Sequence, residues 1–172
     1  MKVKIKKLHE NAVVPKYAKD GDAGMDLTAT SVEYNHEHGT IEYGIGLAIE
    51  IPKGYVGYIF PRSSQKKKSL WLTNHVGVVD SGYRGEIKFA FKPDRKYWCE
   101  IQDGCLDIKG EFHYHASQDD EFQNFVTSSE IYSVGDRVGQ LIIMPYPKVE
   151  FEESEEISST DRGSGGFGSS GA

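Results

Sequence analysis

Nothing in these 172 residues approaches the run of about 18 apolar residues that a membrane span requires. The opening MKVKIKKLHE is basic but lacks the apolar core of a secretory signal, so a cytoplasmic protein is expected. Cysteine is scarce: Cys99 and Cys105 are too few for a disulfide framework and are not spaced like zinc ligands. They read as reduced thiols in a reducing compartment. Positive charge is not in excess either. With 20 Lys and Arg against 26 Asp and Glu, the net charge is −6, which argues against a general nucleic-acid binder and its basic surface. A small anionic ligand is not excluded, because a few local cations suffice to hold one.

What is present is period-two alternation, the mark of half-buried strands. Val3 and Ile5 fit a first strand. Ile41 to Ile51 alternates over its whole length and reads as one strand. Tyr55 to Phe60, Leu70 to Val79, Glu86 to Phe91 and the apolar run Val138 to Tyr146 follow. Turn residues separate them, at Asn35 to Gly39, Pro52 to Gly54 and Ser81-Gly82. Many short strands at this spacing predict an all-β jelly roll or β-barrel. Between Pro93 and Gly135 the pattern loosens, and residues 93–134 read as an insertion. Within it Ser117 to Phe122 caps a short helix, with Phe122, Phe125 and Val126 on one face, or forms a hairpin. From Glu150 the chain turns acidic and then rich in Ser and Gly, too polar to fold alone. The expected organisation is a barrel over 1–149 and a flexible glycine-rich arm over 150–172.

Several segments carry residues suited to chemistry. In the arm RGSGGFGSSG, Arg162 to Gly171, glycines let successive N–H groups converge on an anion. Arg162 adds a forked cation and Phe167 a flat face for a base. A linker requires neither. Asn74 to Gly85 runs an apolar strand into Asp80 and a turn. An aspartate there can hold and deprotonate a water, or it can simply cap Ser81-Gly82. Pro61-Arg62-Ser63-Ser64 is a phosphate grip or a polar turn, and Lys66, Lys67 and Lys68 after it read as a solvated loop. Asp26 suits a hydrated Mg²⁺. Asp136 and Arg137 read as a structural pair, with Gln140 within reach of a ligand. The pairs His36/His38 and His113/His115 share faces but lack a third ligand at metal spacing.

Taken in order, DAGMDL from Asp22, PRSS, Asn74 to Gly85, GDRVGQLI and RGSGGFGSSG resemble the five ordered motifs of the trimeric dUTPases. The resemblance implies a jelly-roll homotrimer with three shared sites that hydrolyses dUTP to dUMP and pyrophosphate with Mg²⁺. By position it implies that Asp80 activates the water that attacks the α-phosphorus. Tyr83 packs on the deoxyribose and leaves no room for a 2′-hydroxyl, and Asn74 reads uracil. Arg62, Ser63, Ser64 and Gln140 hold the phosphates, while Asp26 orders water around the metal. Arg162, Phe167, Gly168, Ser169 and Ser170 belong to an arm that folds over another subunit's nucleotide.

The chain departs from that pattern at Met25, where the family commonly has an aromatic residue, and at Gln65-Lys-Lys-Lys, where a small apolar run is usual. The insertion is a third departure. Its Leu106 to Glu111 stretch resembles one in some phage dUTPases, so it is a surface elaboration or a site for a protein partner. Two alternatives share the fold. A dCTP deaminase would need a glutamate where Ala90 stands, Glu86 being out of register. A regulatory dUTPase-like binding module would not need every proposed catalytic residue, yet all are present.

Overall fold

A computed structural model describes residues 1–35, 37–93, 104–106, 112–114 and 131–166. Its strands are β1 (Lys4–Lys7), β2 (Met25–Thr28), β3 (Ser31–Asn35), β4 (Thr40–Gly44), β5 (Leu47–Glu50), β6 (Tyr55–Phe60), β7 (Leu70–Leu72), β8 (Gly77–Val79), β9 (Lys88–Pro93), β10 (Gly104–Leu106), β11 (Phe112–Tyr114) and β12 (Arg137–Pro145). A 3-10 helix spans Ser63–Lys67. Two four-stranded antiparallel sheets, ordered β2-β12-β6-β8 and β3-β4-β9-β7, form the body. The pair β1-β5 joins them, and β10 and β11 form a separate antiparallel pair.

The inner faces of both sheets supply one core. Leu27, Ile59, Val79 and Leu141 come from the first sheet, and Ile41, Tyr43, Phe89, Phe91, Leu70 and Leu72 from the second. Each such side chain stabilises by about 1.5–3 kcal/mol when fully buried. Contact between the sheets is close. A Cβ on Gly139 of β12 would collide with the Phe89 ring of β9 and stand 2.9 Å from the Phe60 carbonyl. Only glycine lets the sheets meet there.

Two expected strands are each broken in two. Ile41 to Ile51 bends at Gly46, whose φ of +64° favours glycine and where a Cβ would stand 2.8 Å from His9 Cβ. β4 therefore stays beside β3 and β9, while β5 leaves to pair with β1. The periodicity is unchanged across the corner, which is why the sequence conceals it. Leu70 to Val79 likewise divides at a turn around His75, a non-glycine residue with φ of 56°, and its halves join different sheets. The expected helix or hairpin over 117–126 lies outside the described residues.

Candidate active site

The strand β8 delivers the central group. It ends at Val79, and Asp80 follows exposed, with its carbonyl accepting from the Tyr83 amide at 3.1 Å. The backbone makes this turn, and the Arg84 guanidinium braces it by donating to the carbonyls of Ser81 and Tyr83 at 2.8 and 2.7 Å. The Asp80 carboxylate meets no hydrogen-bond partner among the described residues, so it is not spent on capping Ser81-Gly82.

Tyr83 folds back over Gly85 and donates its hydroxyl to the Glu86 carbonyl at 2.8 Å. The ring lies so close that a Cβ on Gly85 would sit 2.7 Å from its Cζ. Gly77 plays a similar part at the other end of β8, where a Cβ would strike Ile59 and stand 3.3 Å from Asn74 Nδ2. Asn74, Asp80 and Tyr83 thereby line one cleft of about 210 Å³, floored by Ile59 and Val79. Glu86 also borders it, but its Oε1 accepts from the Gly46 amide at 2.7 Å, which pins the corner between β4 and β5. The position a deaminase would need, Ala90, lies on β9 opposite Glu42.

A second cluster centres on Asp26. Its Oδ1 accepts from Arg62 Nε at 2.8 Å and from Gln140 Nε2 at 3.5 Å, and its Oδ2 accepts from Arg137 at 3.0 Å. A bulge makes this possible. In β12 Arg137 pairs with Thr28 and Gly139 with Leu27, so Val138 is an extra residue. Arg137 and Gln140 have opposite parity in a regular strand, and the bulge brings both to the Asp26 face. Arg137 thus pairs with Asp26 rather than Asp136, whose carboxylate accepts from the Ser133 amide at 2.9 Å. Sequence spacing does not reveal this, because the bulge leaves no mark in the periodicity.

Arg62 also donates to Ser64 Oγ at 3.2 Å, which gathers Arg62, Ser64, Gln140 and Asp26. Ser63 is exposed beside them. Lys66 and Lys67 are solvated as expected, but Lys68 is not, since its Nζ donates to the Ile131 carbonyl at 2.6 Å. With guanidinium groups on both its oxygens, Asp26 is a poor direct ligand for a cation. It retains lone pairs only for water. Among the described residues no group of three His, Cys, Asp or Glu side chains is placed to hold a metal ion.

The two clusters do not share a cleft. Gly57 stands opposite Val79, next to Asp80, while Arg62 lies past the far end of β6. At about 3.3 Å per residue they are roughly 15 Å apart along the strand. In the arm, Arg162 Nε donates to the Gly165 carbonyl at 3.0 Å. Phe151 and Ile157 are 98% and 91% exposed, so these two side chains do not pack on the barrel of their own chain. Phe167, Gly168, Ser169 and Ser170 lie outside the described residues.

A family model described as dUTPase matches residues 10–104 and 122–171. The deoxyuridine 5'-triphosphate nucleotidohydrolase of Hydrogenobaculum sp. is 34% identical over 99% of each chain. That of Rhodococcus erythropolis is 38% identical over 99% of this chain and 87% of its own. Among solved structures, a mutant dUTPase of Staphylococcus bacteriophage 80alpha with dUpNHpp aligns at a TM-score of 0.69 with 27% identity over 99% of each chain. The dUTPase of phage phi11 of S. aureus, which carries a species-specific insert, aligns at 0.64 with 26% identity over 93% of this chain and 100% of its own. A mutant of that phi11 enzyme coordinates a structural Mg(II) ion.

Proposed function

Because this chain belongs to the dUTPase family, its activity is dUTP hydrolysis, and we propose that Asp80 is the base for that reaction. The carboxylate takes a proton from water, the water oxygen bonds to the α-phosphorus, and the bond to the bridging oxygen breaks. Pyrophosphate leaves and dUMP remains. The single observation that carries this reading is the cleft that joins an unpartnered Asp80 to Asn74 and Tyr83. Asn74 reads the base, and the Tyr83 ring, held down on Gly85, packs on the deoxyribose. Arg62, Ser63, Ser64 and Gln140 hold the phosphates beyond the reacting one, where positioning and charge stabilisation carry most of the catalysis.

The site is composite. The α-phosphorus and the terminal phosphate are only a few ångströms apart, while Asp80 and Arg62 of one chain are separated by much more. A second copy therefore supplies the phosphate grip. The outer face of the sheet β2-β12-β6-β8 supports such an assembly. Tyr58, Phe60, Val78, Ile142 and Met144 lie on it by register, and Val78 and Met144 are 61% and 46% exposed. An antiparallel sheet of an isolated subunit normally turns a polar face outward. Gln140 and Asp26 share this face, at the rim where one copy meets another. We take the assembly to be a homotrimer of barrels (1–149). In it the arm (150–172) covers a neighbouring copy's nucleotide, with Arg162 on phosphate and Phe167, Gly168, Ser169 and Ser170 closing over it. Its bare Phe151 and Ile157 then find cover.

The dUTPase family generally uses Mg²⁺. Asp26, already held by Arg62 and Arg137, would act on such an ion only through water, and the ion, brought in with the triphosphate, would neutralise phosphate charge. The testing experiment is pyrophosphate release from dUTP, dCTP, dTTP, dATP, dGTP and UTP. Release from dUTP, and no ammonia from dCTP, is expected. Absence of pyrophosphate from dUTP would sink the reading.

A further inference from the structure

Tyr83 is exposed, so the core does not hold its ring. The ring lies against Gly85, and the hydroxyl donates to the Glu86 carbonyl at 2.8 Å. Gly85 has no side chain and restrains its own backbone little. The placement of the ring therefore depends on the placement of the Glu86 carbonyl.

That carbonyl belongs to a peptide unit tied on its other side. The N–H of the same unit, from Ile87, donates to the Leu47 carbonyl at 3.0 Å, and the Ile87 carbonyl accepts from the Ile45 amide at 3.3 Å. Gly46 stands between Ile45 and Leu47, and its amide donates to Glu86 Oε1 at 2.7 Å. The corner between β4 and β5 thus grips residues 86 and 87 through two backbone bonds and one side-chain bond. The corner itself is firmly seated. Ile45 and Ile87 are buried, the Gly46 carbonyl accepts from the Leu8 amide at 2.8 Å, and Gly46 packs against His9, Ala12 and Thr30. Glu86 also lines the cleft that holds Asp80. A second carboxylate there repels a triphosphate, so its charge does not explain it. Its reach to Gly46 does.

We propose that Glu86 is a positioning residue for sugar selection. Its side chain, tied to the Gly46 amide, fixes the carbonyl on which the Tyr83 hydroxyl rests, and so holds the ring where it excludes a 2′-hydroxyl. The role is one of reach and hydrogen-bond acceptance, not of charge. The inference rests on the reading of Tyr83 as the platform for the deoxyribose.

The test is the ratio of kcat/KM for dUTP to that for UTP in Glu86→Gln, Glu86→Asp, Glu86→Ala, Tyr83→Phe, Tyr83→Ala and the double variant Tyr83→Phe/Glu86→Ala, each assayed well below its melting temperature. Glu86→Gln keeps an acceptor oxygen at the same reach, and its ratio should stay within about twofold of wild type. Glu86→Asp is one methylene short and Glu86→Ala has no acceptor. Both should lower the ratio about tenfold, on the scale of one hydrogen bond. Tyr83→Phe, which keeps the ring but loses its tie to the Glu86 carbonyl, should lower it similarly, and Glu86→Ala should add no further loss in that background. Lost stability or turnover with an unchanged ratio in Glu86→Asp and Glu86→Ala would overturn the proposal, as would additive losses in the double variant. So would a lowered ratio in Glu86→Gln beside a wild-type ratio in Glu86→Asp, since charge would then decide. If Glu86→Ala does not fold, the Gln and Asp variants decide between these outcomes. If Tyr83→Ala itself leaves the ratio unchanged, the platform reading fails; if Tyr83→Ala lowers it while Glu86→Asp and Glu86→Ala do not, only the positioning role fails.

Discussion

Gly85→Ala separates the stability of the barrel from the geometry of the site. The added Cβ would stand 2.7 Å from Tyr83 Cζ and 3.1 Å from its Cε2, below any ordinary contact. The backbone at Gly85 need not move, because Tyr83 is 46% exposed and its ring can lift into solvent. Lifting breaks the hydrogen bond from its hydroxyl to the Glu86 carbonyl, worth about 0.5–1.5 kcal/mol and less at an exposed position. The melting temperature should therefore fall by only a few degrees. Catalysis should suffer far more. A ring displaced by about an ångström from the deoxyribose can cost on the order of a hundredfold in rate, and the barrier against a 2′-hydroxyl goes with it. The assay is kcat/KM for dUTP and for UTP, with a melt of the same sample. The expected result is a large loss with dUTP, a reduced preference over UTP and a nearly unchanged melt. Unchanged kcat/KM for dUTP would refute the role given to the ring, and a collapse in stability would show that Gly85 serves the fold.

Three further outcomes follow from particular contacts. Asp26→Asn removes the charge that holds Arg62 and Arg137; KM for dUTP should rise roughly tenfold, on the scale of a charge-assisted hydrogen bond. Excess Mg²⁺ should not rescue it, whereas a full rescue in a Mg²⁺ titration would make Asp26 a direct metal ligand. Burial raises the phenol pKa of both Tyr43 and Tyr132, so the native state keeps these protons after the unfolded chain loses them. Denaturant-measured stability should be flat up to about pH 10, then fall by up to ~1.4 kcal/mol per pH unit per tyrosine. Tyr43→Phe should flatten that slope, and an unchanged slope would count against it. Truncation after Ser159 should lower turnover on the order of a hundredfold by removing a closing element while light scattering still finds the assembly; full turnover would take the arm out of the mechanism.

That Asn74, Asp80 and Tyr83 line one cleft was legible in the sequence, because they sit on one short strand and its turn, where local spacing is spatial proximity. The jelly roll was legible through its alternation. What sequence concealed depends on contacts between distant segments or on breaks that preserve parity. The corner at Gly46 keeps the same alternation on both sides. The bulge at Val138 sends Arg137 to Asp26, and the natural guess from spacing, Asp136, is already engaged with Ser133. Lys68 reads as one of three solvated lysines until Ile131 and Tyr132 are folded against it. Arg62, Ser63 and Ser64 are neighbours in the chain and Arg62 donates to Ser64, but nothing in the order of motifs reveals that they lie far from Asp80 within a single chain.

That separation leads to the most direct measurement. Asp80→Asn and Arg62→Ala chains, each deficient alone, are unfolded together, refolded as mixed assemblies and assayed for pyrophosphate release from dUTP. A site that takes Asp80 from one copy and Arg62 from another is intact in about a quarter of random pairings, so about a quarter of wild-type turnover should return. If mixed assemblies form, verified by mass, and turnover stays at the level of the separate variants, Asp80 and Arg62 act within one chain and the composite site is wrong.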